Sequence, residues 1–272
     1  MLFYSYHSMK KSFFFILLFA VFGLQLYAQN APFNIYLEPL DIPNLGGLQA
    51  YAFGQHNGKW LVLGGRLDGL HRRQPFATFD IAGHNNQILV IDPVAQQKWS
   101  APLTSLPVPL QEQLSSTNME FIQQGDMLYV AGGYGYSNTA GDHITYNKLT
   151  AVNVPAVIDA VINGTGVSVY FRQITDDQFA VTGGHLSKIY DSYYLVGGQK
   201  FIGRYNPMGP AHGPGFIQEY TDQVRRFRID DDGTTLSVTH LQAWTDTDQL
   251  HRRDYNVAPQ IMPNGQEGIT AF

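Results

Sequence analysis

The chain of 272 residues contains no cysteine. Disulfide bonds are therefore excluded, and so is a bacterial lipid anchor attached through a cysteine. The absence also argues against a eukaryotic secreted domain, because small domains of that kind commonly depend on disulfides for their stability.

Charged residues are scarce as well. They make up 14% of the sequence, and the 22 acidic residues outnumber the 17 basic ones, which gives a formal net charge of −5. A surface that binds nucleic acid needs an excess of basic side chains to neutralise phosphates. The composition therefore argues against DNA or RNA as a partner.

Aromatic residues and glycine are abundant by contrast. The chain has 16 Tyr, 17 Phe and 27 Gly, and 44% of its residues are hydrophobic. Aromatic and β-branched residues favour pleated surfaces, whereas glycine is frequent in turns. The composition therefore predicts a chain rich in strands, with ample material for a packed core.

The first 28 residues have the organisation of an export signal. Lys10 and Lys11 precede an apolar run at residues 12–24, and Ala28 provides the small residue of a cleavage site. A membrane anchor is the alternative, although the apolar run is shorter than the ~20 residues that span a bilayer. We predict a signal peptide at residues 1–28, no membrane insertion after its removal, and a bacterial protein that is periplasmic, at the outer surface or secreted.

One sequence pattern occurs three times: a hydrophobic strand that ends in two glycines. The copies are WLVLGG at residues 60–65, MLYVAGG at 127–133 and YYLVGG at 193–198. Their first glycines, Gly64, Gly132 and Gly197, are 68 and 65 residues apart. A repeat at such a spacing is typical of stacked units of similar structure.

Each copy lies in a longer unit, for which β-rich runs and turn residues predict four antiparallel strands. The predicted strands are residues 50–55, 60–65, 87–93 and a strand containing Trp99 in the first unit, 119–123, 127–133, 148–155 and 166–171 in the second, and 179–183, 193–198, 223–230 and 236–244 in the third. Residues 255–261 and 268–272 begin a fourth unit. The units are placed at residues 49–105, 118–172, 178–245 and 254–272.

These units resemble the Kelch repeat, in which hydrophobic residues precede a Gly-Gly pair and a later strand carries a tryptophan. The three glycine pairs fit, whereas the tryptophan is clear only at Trp99 and Trp244. Tyr134 follows its glycines as an aromatic residue does in many Kelch units, and Arg66 and Gln199 depart from that pattern. The resemblance implies an all-β, Kelch-like β-propeller that is incomplete, with about three four-stranded blades, the start of a fourth, and further blades of the same product missing.

The glycine pairs are expected to have a structural role. Glycine inside a strand usually marks the close approach of another part of the chain, and the strands of a propeller converge near its axis. A Cβ atom at these positions should therefore collide with a neighbour. A phosphate-binding loop is the alternative, but no G-x-x-x-x-G-K-[ST] sequence accompanies the pairs.

Long loops follow the second strand of each unit, at residues 66–86, 134–147 and 199–222, and are expected to gather on one face. Binding residues commonly lie in such loops. The candidate ligand-binding residues combine arginine with aromatic rings, which suits carboxylates and sugar faces. They are Arg66, Arg72, Tyr134, His143, Arg204 and Tyr205. The alternative is that these residues hold the loops in place by hydrogen bonds.

No metal site and no cofactor is expected. The histidines are scattered, without an H-x-x-x-H or H-E-x-x-H pair. The acidic run at residues 230–233 lacks the remaining ligands of a calcium loop, and we interpret it as a hairpin turn.

Two enzyme families share the Kelch-type propeller. Galactose oxidase-like proteins carry copper and a tyrosine bonded to a cysteine, and a chain without cysteine cannot form that bond. The N-acetylneuraminate epimerases, or sialic acid mutarotases, need an acid/base carboxyl group and an arginine for the sugar carboxylate. That resemblance implies Glu219 and Arg225 as catalytic residues, with Arg226 as the alternative arginine.

The sequence thus predicts an exported binding or scaffold module of β-propeller type, with a glycan or a protein as its ligand. The alternative is a sugar mutarotase that uses Glu219. A third hypothesis is export by the machinery of gliding-type bacteria, with a carboxy-terminal sorting domain beyond Phe272.

Overall fold

The structure is a computed structural model that describes residues 33–69, 72, 74–213 and 215–272. The predicted signal peptide at residues 1–28 lies outside the described residues. Internal contacts divide the chain into two units, Met1–Leu40 and Asp41–Phe272. Residues 33–40, the described part of the first unit, contain no helix or strand.

The second unit is built mainly from strands. In chain order these are β1 (Ala52–His56), β2 (Lys59–Leu63), β3 (Gln87–Asp92), β4 (Gln97–Pro102), β5 (Glu120–Gln124), β6 (Met127–Ala131), β7 (Tyr134–Ser137), β8 (Asp142–Thr145), β9 (Lys148–Asn153), β10 (Phe171–Thr175), β11 (His185–Ile189), β12 (Ser192–Val196), β13 (Gln199–Ile202), β14 (Ile217–Tyr220), β15 (Gln223–Asp231), β16 (Leu236–His240), β17 (Trp244–Thr245), β18 (Val257–Ile261) and β19 (Glu267–Ala271). The α-helices are α1 (Val108–Leu114) and α2 (Val154–Asn163). Among the described residues, no helix has the length and apolar character needed to cross a bilayer.

Three four-stranded antiparallel sheets follow one another along the chain. The first has the order β1-β2-β3-β4, the second β5-β6-β9-β10 and the third β11-β12-β15-β16. Strand β17 pairs with the start of β15, and β18 pairs with β19 as a hairpin. The predicted all-β, propeller-like fold, with about three four-stranded sheets and the start of a fourth, is confirmed.

The second sheet is covered on both faces, as a middle blade must be. In β6, Leu128 and Val130 belong to the core shared with the first sheet. The alternating residues Tyr129 and Ala131 belong to the core shared with the third sheet. Because side chains along a strand point alternately to the two faces of a sheet, one short strand contributes to both cores, and successive sheets pack face to face.

Helix α2 occupies the connection after β9, where the sequence analysis predicts a strand that continues to residue 155. Strand β9 ends at Asn153, whose side chain accepts a hydrogen bond of 3.1 Å from the amide of Ala156. That contact satisfies one of the free amides at a helix start, and Gly164 ends the helix at a φ of 65°. The apolar face of α2, which includes Val157 and Val161, fills the core between the first and second sheets.

Three strand predictions need correction. The fourth strand of the second unit begins at Phe171 instead of residue 166, because α2 and a turn of 3-10 helix at Ser168–Tyr170 occupy the connection. The first strand of the third unit is β11 at His185–Ile189, and not residues 179–183. The predicted strand at 236–244 is interrupted after His240, and Trp244 lies in the separate short strand β17.

The long loops contain regular structure of their own. Strands β7 and β8 of the second loop and β13 and β14 of the third form a four-stranded sheet, here named the loop sheet, in the order β14-β13-β8-β7. The first loop joins it through Phe79, whose ring centroid lies 5.1 Å from that of Tyr134 and 5.9 Å from that of Tyr205. The three loops therefore gather together, as predicted.

The glycine pairs lie where successive units touch. The second glycine of each pair donates its amide hydrogen to a carbonyl oxygen just before the first strand of the next unit, namely Gly65 to Ser116 at 2.9 Å, Gly133 to Val181 at 2.9 Å and Gly198 to Arg252 at 3.2 Å. A Cβ atom at Gly132 would collide with the carbonyl oxygen of Val181, and one at Gly197 with the ring of Tyr255. The expected collision is confirmed: at the first glycine of each pair it is with the next unit, whereas a Cβ atom at Gly65 or Gly198 would collide within its own unit.

Candidate functional site

The residues that precede the first strand of each unit share a left-handed backbone conformation. They are Ala50, Asn118, Gly183 and Asp254, with φ values of 55°, 52°, 68° and 58°. The amide of Asn118 donates to the carbonyl oxygen of Ala50 at 3.0 Å, and the amide of Asp254 to that of Gly183 at 2.7 Å. The hydroxyl group of Thr182 donates to the carbonyl oxygen of Asn118 at 3.0 Å. The starts of successive units are thus joined into one hydrogen-bonded series.

A cavity of about 140 Å³ opens beside this series, and we name it the lead-in cavity. Its lining combines residues from the unit starts with residues from the long loops, namely Phe79, Thr117, Asn118, Tyr134, Thr182, Gln199, Phe201, Tyr205, Arg253 and Asp254. Ligand sites in proteins are typically concave, with mostly apolar and aromatic walls and a few polar groups. The lead-in cavity is concave and has an aromatic wall, but six of its ten described lining residues are polar or charged.

Four aromatic rings form one wall of the lead-in cavity. The ring centroid of Tyr134 lies 5.1 Å from that of Phe79 and 5.4 Å from that of Phe201, and Tyr205 lies within 5.9 Å of the same two rings. The hydroxyl group of Tyr134 accepts a hydrogen bond from the amide of Tyr205 and donates one to the carbonyl oxygen of Gly203, both at 2.8 Å. Burial raises the pKa of Tyr134, so this hydroxyl stays protonated and can donate to Gly203.

The polar part of the lining offers both donors and acceptors. Nε of Arg253 lies 3.5 Å from Oδ2 of Asp254, and the two side chains are 37% and 63% exposed. Asn118 and Gln199 contribute amides, and Oε1 of Gln199 accepts a hydrogen bond of 2.6 Å from Gln218. A guanidinium, a carboxylate and two amides can together satisfy a ligand that carries several hydroxyl or carboxyl groups.

Two of the predicted ligand-binding residues, Arg66 and Tyr134, are buried and internally hydrogen-bonded. Arg66 donates from Nε and Nη2 to Asp68, at 2.9 and 2.6 Å, and its guanidinium carbon lies 5.6 Å from the centroid of the Phe79 ring. The hydrogen bond with Arg66 holds the pKa of Asp68 below its usual range. This geometry favours the alternative that these two residues hold the loops in place.

His143 and Arg204 also join the first loop to the loop sheet. Nε2 of His143 lies 2.8 Å from the carbonyl oxygen of Phe79, which can only accept, so Nε2 carries the hydrogen. Burial lowers the pKa of His143. Nη1 of Arg204 donates to the carbonyl oxygen of Phe76 at 2.5 Å. Of the six predicted ligand-binding residues, Tyr134 and Tyr205 line the lead-in cavity, whereas Arg72 is exposed outside any helix or strand.

The predicted catalytic pair is not brought together. Glu219 is exposed on β14, and Arg225 is buried on β15, where it donates to the carbonyl oxygens of Gln178 and Gly197. Among the described residues, no hydrogen bond or ion pair joins Glu219 to Arg225, and neither residue lines the lead-in cavity. Arg226, the alternative arginine, donates to the Ser192 hydroxyl group at 3.0 Å. The catalytic roles of these residues stay predictions.

Glu120 is a buried carboxyl group that the sequence analysis did not single out. It stands at the start of β5 and accepts a hydrogen bond of 2.7 Å from the amide of Gly184. Burial raises the pKa of Glu120 to about 8, although the Gly184 amide and the charge of Arg225 oppose the shift. Burial also lowers the pKa of Arg225, to about 10, so that its guanidinium is charged at neutral pH.

We expect the stability of the protein to decrease with pH through Glu120. Its pKa in the folded protein exceeds its ordinary value of 4.5, so the folded state binds the extra proton between pH 4.5 and about 8, and stability is lost as the pH rises across that window. The limiting slope for one group is about 1.4 kcal/mol per pH unit. Urea unfolding of the wild type and of Glu120→Gln, measured from pH 5 to 8, should show this decline only in the wild type.

His84 supplies an opposing effect, which makes the comparison with the variant necessary. Burial lowers the pKa of His84 to about 4. The free energy of unfolding therefore falls as the pH drops below 6.5, by the same amount in the wild type and in the variant. The difference between wild type and Glu120→Gln therefore isolates Glu120. Parallel pH profiles of the two proteins would contradict the assignment.

The described parts of the chain contain no cluster of side chains that would bind a metal ion. Within residues 33–69, 72, 74–213 and 215–272, no group of three or more His, Cys, Asp or Glu side chains is arranged to hold a metal ion. The acidic run at residues 230–233 turns the hairpin between β15 and β16, where Oδ1 of Asp232 accepts hydrogen bonds from the amides of Thr234 and Thr235.

Several residues of the lead-in cavity were missed because they lie outside the long loops. Thr117, Thr182 and Arg253 occupy the same place in three successive units, immediately before the left-handed residue, at spacings of 65 and 71 residues. Their equivalent positions in the repeat could therefore have been recognised from the sequence. That these positions line a cavity depends on three units approaching one point, and the sequence of a single unit does not show that approach.

No protein-family model matches the chain, and no curated protein matches it either. Solved structures do match, and one of them, titled "Structure of YjhT", is similar to this chain at 14% sequence identity and a TM-score of 0.45. The similarity covers 84% of this chain and 66% of that structure, so the chain spans slightly less than two thirds of the protein it matches. The propeller-like fold accordingly rests on the three antiparallel sheets of this chain and their shared cores.

Proposed function

We propose that this protein is an exported binding module of the Kelch propeller type and that its ligand is a glycan, of which one sugar unit enters the lead-in cavity. The observation that carries the proposal is the composition of that cavity, which combines an aromatic wall with Arg253, Asp254 and two amides. The export signal predicted at residues 1–28 supports encounter with extracellular or periplasmic glycans.

Sugar chemistry fits this lining. A pyranose ring presents C–H groups that pack on aromatic faces, which Phe201 and Tyr205 would supply, and hydroxyl groups that both donate and accept. Asp254 can accept from hydroxyl groups, and Arg253 can donate to them or to a carboxylate. At about 140 Å³ the cavity is smaller than the ~300 Å³ at which pockets for drug-sized ligands begin, which suits a single terminal sugar unit.

A protein ligand is the weaker hypothesis for this cavity. Stable protein partners typically bury about 800 Å² on each side, with aromatic and arginine anchors at the centre. The lead-in cavity, at about 140 Å³, admits little more than one side chain of a partner. If the protein were only a scaffold, the lead-in cavity would have no ligand, and its polar and aromatic lining would have no function.

We expect Arg253→Ala to weaken glycan binding by about 10- to 100-fold, because a hydrogen bond from a charged donor contributes about 1.5–3 kcal/mol. The matched control is Arg252→Ala, which removes the same charge from the adjacent residue outside the cavity lining. A glycan array would identify a ligand, and calorimetry would then compare wild type, Arg252→Ala and Arg253→Ala. Equal losses in the two variants, or no glycan bound by the wild type, would refute the proposal.

The mutarotase alternative can be tested on the same protein. Among the described residues that line the lead-in cavity, Asp254 carries the carboxyl group, and Glu219 lies outside the lining. Acid/base catalysis on a bound sugar would therefore fall to Asp254. A catalyst should accelerate anomer interconversion of the bound sugar, followed by NMR, and Asp254→Asn should abolish that acceleration while Glu219→Gln retains it. Binding without acceleration identifies the protein as a module only.

A further inference from the structure

A second cavity lies between helix α1 and the loop sheet, and we name it the helix cavity. Its volume is about 390 Å³, within the range of ~300–1,000 Å³ that is typical of small-molecule sites. The lining comes from the first loop, the segment around α1 and strand β7 with its turn, namely Ile81, His84, Asn86, Leu103, Thr104, Val108, Gln111, Glu112, Ser115, Tyr136, Asn138 and Thr139.

The helix cavity is separate from the lead-in cavity. No described residue lines both cavities. The backbone between them is tightly packed, because a Cβ atom at Gly135 would lie only 2.8 Å from Cε1 of His84 and 3.4 Å from the Cα of Ser116. A ligand in one cavity therefore does not need the side chains of the other.

Several polar groups of the helix cavity are free to bind a ligand. The side chains of Asn86, Asn138 and Tyr136 make no hydrogen bond to any other described residue, and Asn86 and Asn138 are exposed to solvent. Together they offer two amides, each a donor and an acceptor, and one hydroxyl group. Leu103 and Val108 add an apolar surface on which C–H groups can pack.

The charges in the lining favour a neutral ligand. The described residues that line the helix cavity include no lysine or arginine, so none of them would neutralise an anion. Its carboxylate, Glu112, already accepts three hydrogen bonds, one from the Ser137 hydroxyl group and two from the amide and hydroxyl group of Thr139, all between 2.8 and 3.0 Å. A carboxylate has about four acceptor sites, which leaves little capacity for an ammonium group.

The imidazole in the lining is also uncharged. Burial lowers the pKa of His84 to about 4, and the nearby charge of Arg66 adds to the shift. At neutral pH the ring therefore presents one donor and one acceptor nitrogen, as a hydroxyl-bearing ligand requires.

We propose that the helix cavity is a second ligand site, specific for a neutral, polyhydroxylated molecule of the size of a monosaccharide. It goes beyond the proposed function, because the lead-in cavity presents a guanidinium and a carboxylate, whereas this site discriminates against charge. The two sites would let one protein hold chemically different sugars.

Saturation-transfer NMR on the full chain at pH 7 tests the proposal with D-glucose, D-galactose, D-mannose and N-acetyl-D-glucosamine as probes, and D-glucuronate as the charged counterpart. In the full chain carrying Arg253→Ala, whose lead-in cavity lacks its guanidinium, at least one neutral sugar should bind with a Kd of about 1 mM, and D-glucuronate should bind at least about tenfold more weakly than that sugar. Failure of all four neutral sugars to bind this variant, or tighter binding of D-glucuronate to it, would overturn the proposal.

Variants locate the binding. Asn138→Ala should weaken binding about fivefold, as expected for the loss of one hydrogen bond of about 1 kcal/mol, and Tyr136→Phe should do so without loss of ring packing. The matched control is Asn163→Ala, which removes an exposed asparagine at the end of α2, outside the cavity. If Arg253→Ala loses binding and Asn138→Ala retains it, the sugar lies in the lead-in cavity and the proposal for the helix cavity is overturned. If Asn138→Ala loses binding and Arg253→Ala retains it, the helix cavity is supported, even if the lead-in cavity binds no glycan.

Discussion

Replacing Gly132 by alanine is expected to cost the protein about 2–5 kcal/mol of unfolding free energy. A left-handed backbone costs an L-residue about 1–2 kcal/mol, and Gly132 has a φ of 65°. The added Cβ atom would also collide with the carbonyl oxygen of Val181 and lie 3.0 Å from that of Phe179. Overpacking costs about 1–3 kcal/mol, and here the obstacle is backbone, which cannot rotate away.

Gly125→Ala is the matched control for that experiment. Gly125 lies in the turn between β5 and β6 of the same sheet, and its φ of 58° is similarly left-handed, but a Cβ atom there would have no neighbour within 4 Å. Urea unfolding followed by circular dichroism should show that the control loses only about 1–2 kcal/mol. Equal losses in the two variants would mean that contact between units does not constrain the glycine pairs.

We expect Arg172→Met to be comparably damaging, because it breaks a buried ion pair between two sheets. Nε and Nη2 of Arg172 on β10 each lie 2.7 Å from a carboxylate oxygen of Asp231 on β15, and the side chains are only 12% and 4% exposed. Removing one partner of such a pair costs about 3–5 kcal/mol, since the other charge stays buried without compensation. The free energy of unfolding measures this loss directly.

Two further variants show whether burial is the reason. Arg228→Met removes an arginine from β15, the strand that carries Asp231. Arg228 pairs with Asp191 at 2.8 Å, but both side chains are about half exposed or more, and we expect an effect close to the error of measurement. The double variant Arg172→Met with Asp231→Leu should recover most of the stability, because no unpaired charge is left. If Arg172→Met is as mild as Arg228→Met, the pair does not hold the second and third sheets together.

The strand pairs of each sheet could be predicted because their signals are local. Asn57 and Gly58 form the turn between β1 and β2, both with positive φ, as the residue types predict. The apolar runs of β3, β6 and β12 are bounded by turn residues and have the length of buried strands, so they could be identified without knowledge of their partners.

Elements whose conformation depends on distant partners were misplaced. Residues 179–183 have the composition of a strand, yet the carbonyl oxygen of Val181 accepts from the amide of Gly133, a residue of the preceding unit. Their hydrogen bonds are used between units, so β11 begins only at His185. Helix α2 did have local signals in Asn153 and Gly164, but the run of Val and Ile between them suits a strand equally well.

In the candidate site, too, features with local sequence signals were predictable and those that depend on distant contacts were not. The common phase of the long loops was enough to bring Tyr134, His143 and Tyr205 together in prediction, and they do meet. Which groups face a ligand was not predictable, because the hydroxyl group of Tyr134 is consumed by internal hydrogen bonds, whereas Arg253 and Asp254 stay accessible.

The sequence alone determined the all-β class, the number of repeated units and the structural role of the glycine pairs, since turn chemistry, alternation and spacing are properties of neighbouring residues. Only the tertiary structure decided where cavities open, which carboxyl group is buried and which arginines are free. Those outcomes depend on desolvation and on contacts between residues that are 50 or more positions apart, such as Gly183 against Asp254, and such contacts exist only after the sheets have packed.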